Sequence, residues 1–176
     1  EQQVLDVGEL VKVNVAQFYG IEIEEFPSQI AQTAMWLTDH QMNRLVAAKF
    51  GQYFLRIPLT ESAKIVCGNA LTLDWRDVVQ PEDLNYILGN PPFLGARVMS
   101  GEQTAELMQI FEGVKNAGNL DYVTCWYKKA TEYMKEAGED ALLQCAFVST
   151  NSICQGEQVP ILWKHLFENG VHINFA

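Results

Sequence analysis

Ile87-Leu88-Gly89-Asn90-Pro91-Pro92-Phe93 is the stretch that decides the predicted fold, because a short apolar strand there leads directly into two prolines. A proline has no backbone N–H and a fixed φ, so a strand cannot continue through this pair. The residue before a proline is pushed toward extended conformations, which keeps Asn90 out of a helix. The sequence therefore predicts a rigid corner that presents an amide side chain, a backbone carbonyl and an aromatic ring.

This corner offers the groups that a planar substrate with an amino group would need. The amide oxygen of Asn90 and the carbonyl of Pro91 can both accept from an NH₂ group, and the ring of Phe93 can stack on the substrate's face. The alternative is a plain loop leaving a strand, since Pro-Pro is a common turn signal and Phe93 would then belong to the core. The neighbouring segments favour the first interpretation.

Strand and helix patterns alternate along the chain after an opening segment, residues 1–17, whose structure the pattern leaves ambiguous. Strands are predicted at 18–23, 65–67 with 70–73, 86–89, 141–149 and 171–174, helices at 27–50, 101–115, 120–137 and 160–169, and a connection at 52–64. Such alternation indicates βαβ units and a parallel, doubly wound α/β sheet. Ligands of these sheets bind beyond the carboxyl ends of the strands, and Glu22, Asp74 and Asn90 each follow a predicted strand.

Five segments carry a resemblance to a known family. They are Phe18-Tyr19-Gly20-Ile21-Glu22-Ile23-Glu24-Glu25-Phe26, Gly68-Asn69-Ala70-Leu71 with Asp74-Trp75, Gly89 to Gly95, Leu120-Asp121-Tyr122-Val123, and Phe147 to Gly156. In this order they resemble the methyltransferase domain of MmeI-like restriction–modification proteins, which join a nuclease, a methyltransferase and a target-recognition domain in one polypeptide. The resemblance covers nearly the whole chain. It implies a Rossmann-like class I methyltransferase sheet that transfers a methyl group from S-adenosylmethionine to the N6 amino group of adenine in duplex DNA.

The resemblance also implies the catalytic residues. Asn90, Pro91, Pro92 and Phe93 match the family's catalytic motif, in which two acceptors orient the target amine. An adenine inside a duplex would have to be flipped out of the stack, with Phe93 as the surface on which it lies. The run from Ser149 to Gln155 matches a segment near the cofactor and target base, with no role assigned within it.

Four residues would bind the cofactor if the resemblance holds. Glu22 would accept from the ribose hydroxyls, and Ile23 would lie against the cofactor's adenine. Asp74 would accept from the adenine's amino group, and Trp75 would pack beside the ring. The alternatives are a solvated Glu22, equivalent to the acids after it, and a helix-capping Asp74 followed by a core tryptophan.

One part of the family pattern is missing. The glycine-rich cofactor motif, Asp-Pro-Ala-Cys-Gly-x-Gly-Asn-Phe, should precede Phe18, and nothing in residues 1–17 matches it. The sequence therefore suggests that residues 1–176 are a partial methyltransferase domain without the first strand and the target-recognition domain. By itself such a piece is expected to be inactive, and duplex DNA would be gripped mainly by the missing parts.

Composition limits the other function classes. A net charge of −10 and a pI near 4.7 argue against a free-standing nucleic-acid binder, although an acidic solvated surface is the commoner meaning of such a charge. The four cysteines show no C-x-x-C spacing and do not cluster with histidines, so we expect reduced thiols in a cytoplasmic protein and no metal site. No apolar run is long enough for a membrane span. Methylation of a glutamine side-chain amide, or a non-catalytic interaction role, remains an alternative to DNA methylation.

Overall fold

Two short parallel sheets, one in each of two units, form the β-structure of the residues that this computed structural model describes, which are 12–50, 62–138 and 141–174. The units are Glu1–Leu73 and Asp74–Ala176. The chain is therefore an α/β protein with parallel strand pairs. The single doubly wound sheet stays a prediction, because the described strands pair only two by two.

The first unit holds strands β1, Tyr19–Glu22, and β2, Lys64–Cys67, with helix α1, Glu25–Phe50, between them in the chain. The strands are parallel, and their last residues, Glu22 and Cys67, are partners in the register. Pro27 is the third residue of α1, where its missing N–H costs no helical hydrogen bond. This βαβ unit brings the carboxyl ends of β1 and β2 to the same edge.

The second unit holds strands β3, Tyr86–Gly89, and β4, Gln144–Phe147, which are parallel with Gly89 and Phe147 in register. Its helices are α2, Gly101–Ile110, α3, Thr124–Glu136, and α4, Gln158–Glu168. The largest fully buried side chains of the described residues all belong to this unit and are Phe111, Leu107, Leu120, Leu162, Leu166, Val123, Thr124 and Cys125. The core of this unit therefore lies among α2, α3, α4 and the turns that join them.

Most of the predicted elements are confirmed, with ends that are shifted by a few residues. Two predicted strands are wrong. Residues 70–73 form a turn, because the carbonyl of Asn69 accepts from the backbone N–H groups of Thr72 and Leu73, while its side chain accepts from Leu71 N. Residues 171–174 form no strand, and Val171 N instead donates to Leu166 O to close the end of α4.

The ambiguous opening segment is only partly described. Residues 15–17 form a 3-10 turn that Asn14 caps, and residues 1–11 lie outside the described part of the chain, as do 52–61 of the predicted connection. None of the helices within the described ranges is both long and apolar enough to cross a membrane.

Candidate active site

The predicted corner begins immediately after β3. Asn90 is exposed, Pro91 is buried, and the side chain of Phe93 is 48% exposed. Within the described residues, neither the side-chain amide of Asn90 nor the carbonyl of Pro91 has a hydrogen-bond partner. The carbonyl of Pro92 accepts from Leu94 N at 3.2 Å, which turns the chain away from the strand. Two acceptors and an aromatic face are thus available at the carboxyl end of β3.

The polar run after β4 lies beside this corner. Val148 N donates to Gly89 O at 3.0 Å, which extends the strand pairing to the start of the run. The hydroxyl groups of Ser149 and Tyr127 are 2.5 Å apart, and burial raises the pKa of Tyr127. Farther along, the carbonyl of Ile153 accepts from Trp163 Nε1 at 2.7 Å. The run is therefore held by side chains of α3 and α4.

Asp121 joins the corner to the polar run. One carboxylate oxygen, Oδ1, accepts from Ala96 N at 3.2 Å, and the other, Oδ2, accepts from the Ser152 hydroxyl at 2.5 Å. The next residue, Tyr122, donates its N–H to Leu94 O at 2.9 Å. Sequence reasoning assigned Asp121 no role of its own, and its place in the Leu120-Asp121-Tyr122-Val123 segment was the one available signal.

Glu22 and Ile23 occupy the carboxyl end of β1 in the first unit. Glu22 is half-buried, and its Oε1 accepts from Ile23 N at 2.9 Å. The side chain of Ile23 is 64% exposed. The structure thus places a carboxylate and an exposed apolar side chain together at this strand end, and their role in binding a cofactor stays a prediction.

Asp74 lies in the second unit, where it caps a short 3-10 turn and forms an ion pair. Its Oδ1 accepts from Arg76 N at 2.9 Å, and its Oδ2 lies 2.5 Å from Arg76 Nη2. The side-chain and backbone hydrogen bonds from Arg76 lower the pKa of Asp74 to about 2. Arg76 also lies 3.3 Å from Glu136, and its pKa is raised chiefly by the hydrogen bond to Asp74. Both oxygens of the predicted adenine acceptor are therefore engaged by Arg76.

Trp75 is buried in the second unit. Its ring meets the ring of Tyr133 edge-on at 5.5 Å, and the ammonium group of Lys129 lies 5.7 Å from its centroid. Burial lowers the pKa of Lys129 and raises that of Tyr133 to about 12. These contacts are those of a core tryptophan, and its role beside a cofactor stays a prediction.

Comparison with known proteins identifies the family. The model of the MmeI DNA-methyltransferase domain matches residues 1–176. The chain belongs to this family. The resemblance inferred from the ordered motifs is confirmed, and with it the assignment to a methyltransferase of the restriction–modification type.

Two proteins are similar to this MmeI-type domain over nearly its whole length. DNA methyltransferase A of Bacillus subtilis (strain 168) is 39% identical over 167 residues, which are 93% of this chain and 18% of that protein. The type IIL restriction–modification enzyme MmeI, whose structure was solved in complex with DNA, is 52% identical with a TM-score of 0.88. That match covers 98% of this chain and 23% of the MmeI chain. The chain thus spans less than a quarter of either relative.

Proposed function

We propose that this MmeI-type domain transfers the methyl group of S-adenosylmethionine to the N6 amino group of adenine in duplex DNA. The observation that carries the proposal is the pair of free acceptors at the end of β3, the side-chain oxygen of Asn90 and the carbonyl of Pro91, with the exposed ring of Phe93 following them. Family membership supports methyl transfer to DNA, and the corner supports an amino group as its acceptor.

The two acceptors would help to make the amino nitrogen of the substrate nucleophilic. The lone pair of an aromatic amine is delocalised into the ring, so the nitrogen is a poor nucleophile. Hydrogen bonds from its two N–H groups to Asn90 and Pro91 would favour a tetrahedral nitrogen whose lone pair points at the methyl group. The nitrogen–carbon bond would form as the carbon–sulfur bond of the sulfonium breaks, the cofactor would leave as a neutral thioether, and one N–H proton would pass to solvent water. Alignment contributes more here than a strong base does.

The ring of Phe93 would hold an adenine that has left the DNA duplex. A base in a duplex cannot reach a corner of this kind, so the target adenine has to be extruded, and Phe93 provides a face on which it can stack. MmeI was solved bound to DNA, which supports DNA as the substrate of this domain too. With a net charge of −10, the chain offers little of the positive surface that neutralises phosphates, so we propose that recognition depends on other parts of the protein.

Residues of the first unit fit the cofactor's nucleoside. Glu22 has one oxygen on Ile23 N and is half-buried at a strand end, where a carboxylate can accept from a vicinal diol. Ile23 is exposed and can cover an adenine ring. Asp74, which belongs to the second unit, can accept from the adenine's amino group only if Arg76 first releases one of its oxygens. S-adenosylmethionine would supply a methyl group on a sulfonium, which needs no further activation.

A protein substrate is the competing proposal, because an acidic chain suits it and a glutamine side-chain amide also presents a planar NH₂ group. The deciding experiment uses the full-length protein and S-adenosylmethionine labelled in its methyl group. We expect the label in N6-methyladenine after digestion of a duplex, and none in cytosine or in protein. Asn90→Ala should abolish most of it, whereas Asn85→Ala, at the other end of β3, should not. Label in a glutamine amide, or no label from the parental protein, would overturn the proposal.

A further inference from the structure

The corner after β3 and the polar run after β4 are joined through one carboxylate. Asp121 lies just before α3, and its two oxygens accept from different segments: Ala96 N in the loop that follows the corner, and the Ser152 hydroxyl in the polar run. These partners are separated from Asp121 by 25 and 31 positions in the chain. The carboxylate therefore fixes two loops that have no sequence continuity with each other.

The hydrogen bonds give this link a direction. The Ser152 hydroxyl donates its hydrogen bond to Asp121 Oδ2, so its oxygen is left to accept from the Thr150 hydroxyl, 2.5 Å away. Charge-assisted bonds of this kind are shorter and stronger than neutral ones. Thr150 thus donates to Ser152, and Ser152 donates to Asp121. These two hydrogen bonds orient two hydroxyl groups of the polar run.

Asp121 is itself held in place. Its backbone N–H donates to Gln158 Oε1 at 3.0 Å, and its carbonyl accepts from the Thr124 hydroxyl at 2.6 Å at the start of α3. The adjacent Tyr122 N binds Leu94 O at 2.9 Å, so the same turn contacts the corner loop twice. Because Asp121 is held in this way, its carboxylate sets the positions of both loops that donate to it.

We propose that Asp121 is a positioning residue that sets the distance between the Asn90 corner and the polar run, and so aligns the target amine for methyl transfer. The inference rests on the proposed function. Asp121 does not touch the reacting atoms, and it acts through Ala96 on one side and Ser152 on the other. Loss of the link would leave both loops present but misplaced, which lowers turnover more than binding.

The test compares three variants of the full-length protein with the parental protein: Asp121→Ala, Asp121→Asn and Ser152→Ala. Misplacement of reacting groups by about 1 Å costs on the order of 100-fold in rate, so Asp121→Ala should lower kcat by about that factor. In Asp121→Asn the side-chain oxygen can still accept from Ala96 N, so the kcat of this variant should be roughly 10-fold higher than that of Asp121→Ala. Ser152→Ala removes one side of the link and should lower kcat by about 10-fold. When it is combined with Asp121→Ala, kcat should fall little further, because the link is already lost.

The readout is the split between kcat and KM, measured on protein whose folded fraction is known from its unfolding curve. We expect KM for S-adenosylmethionine to change less than about threefold. Glu157→Ala is the matched control, since the side chain of Glu157 also joins two segments, and its hydrogen bond, at 3.2 Å, comes from Asn119 and not from the corner or the polar run. Its kcat should equal the parental value.

The possible failures are distinguishable. If the parental protein methylates adenine and both Asp121→Asn and Ser152→Ala turn over at its rate, Asp121 has no positioning role. Proportional losses of folded protein and activity in these two variants would likewise overturn it, because they would show a structural role alone. If the parental protein methylates something else, the proposed function fails first, and the kcat comparison on the true substrate still tests the link.

Discussion

Gly89 and Phe147 are paired where β3 and β4 end, and a Cβ atom at Gly89 would lie 3.0 Å from Cδ1 and Cε1 of the Phe147 ring. The same atom would lie 3.9 Å from Pro91 Cδ. The Phe147 ring in turn meets the ring of Tyr127 edge-on at 5.2 Å. The absence of a side chain at Gly89 therefore lets an aromatic ring pack over the strand end that precedes the proposed catalytic corner.

Gly89→Ala should disturb both packing and catalysis. The added methyl group forces the Phe147 ring or the corner to move, and overpacking of this kind costs about 1–3 kcal/mol. The measurement is the urea midpoint of unfolding together with the methyl-transfer rate. Gly101→Ala is the control, because Gly101 starts α2 and an added Cβ would have no atom within 4 Å. Equal midpoints for the two variants would contradict the packing account.

The sequence was sufficient where local chemistry sets the structure. The strand Tyr86–Gly89 was predicted with its exact bounds, because two prolines prevent it from continuing beyond Asn90. The predicted strand over residues 70–73 failed, because Asn69 makes local hydrogen bonds that compete with a strand. For residues 171–174 the apolar alternation was present, but a strand also needs a partner, which sequence alone does not show.

The candidate site divides in the same way. The free acceptors of the corner follow from the motif itself and could be anticipated. Asp121 could not, because its role depends on two partners that only the folded chain brings to its carboxylate. Nor could the ion pair on Asp74, since an acid two residues before an arginine is equally compatible with an open acceptor. The Asp121 contacts are tertiary and the Asp74–Arg76 contact is local, and a single sequence leaves both undetermined because each depends on which side-chain arrangement the folded chain adopts.

Phe93 should contribute mainly a stacking surface. Phe93→Ala removes the ring and should weaken capture of the flipped base by about 1–3 kcal/mol, whereas Phe93→Tyr keeps the face and should be mild. The measurement is the affinity of the full-length protein for duplex DNA containing its target, with cofactor affinity as the control. Because the ring is 48% exposed, neither variant should unfold the protein. Equal DNA affinity for the two variants would argue against stacking.

Trp75 offers a test between core packing and cofactor contact. Trp75→Ala should destabilise the protein by about 3–5 kcal/mol, because it removes a buried ring from Tyr133 and Lys129. Trp75→Phe keeps part of this packing and should cost less. In the phenylalanine variant we expect a lower unfolding midpoint and a nearly unchanged dissociation constant for S-adenosylmethionine. The reverse result, a weakened affinity at parental stability, would place Trp75 against the cofactor.

The Asp74–Arg76 pair should give a defined pH dependence. The pKa of Asp74 falls from its ordinary 3.8 to about 2 in the folded protein, so the folded state favours the ionised carboxylate. The resulting stabilisation is complete above pH 3.8 and is lost as the pH falls toward 2. The stability difference between Arg76→Ala and the parental protein should therefore be constant between about pH 5 and pH 8 and shrink only in stronger acid.

A surface pair provides the control for this pH experiment. Lys164 and Glu168 are 3.9 Å apart and exposed, so Lys164→Ala should leave stability unchanged at every pH. The Arg76→Ala variant also tests the cofactor proposal, since it frees the Asp74 carboxylate. Tighter binding of S-adenosylmethionine is expected if Asp74 accepts from the adenine. An unchanged affinity would leave Asp74 with its capping role alone.

Asn90 is the residue on which the proposed chemistry depends most. Asn90→Ala removes one of the two acceptors for the target amine and leaves the Pro91 carbonyl alone. The loss of one oriented hydrogen-bonding group at a transition state costs on the order of 3 kcal/mol, or about 100-fold in rate. Asn90→Asp keeps an acceptor in nearly the same position and should retain more activity than the alanine variant.

The methyl-transfer rates of the two Asn90 variants report on catalysis and not on folding if both variants remain as stable as the parental protein. Asn90 is exposed and its side chain has no hydrogen-bond partner among the described residues, so both variants should keep the parental unfolding midpoint. Cofactor affinity should also fall less than turnover, because the amide is proposed to contact the target amine. Single-turnover methyl transfer to an adenine-containing duplex is the measurement. A parental rate in Asn90→Ala would mean that the two prolines make only a turn, and that the acceptors of the amine lie elsewhere.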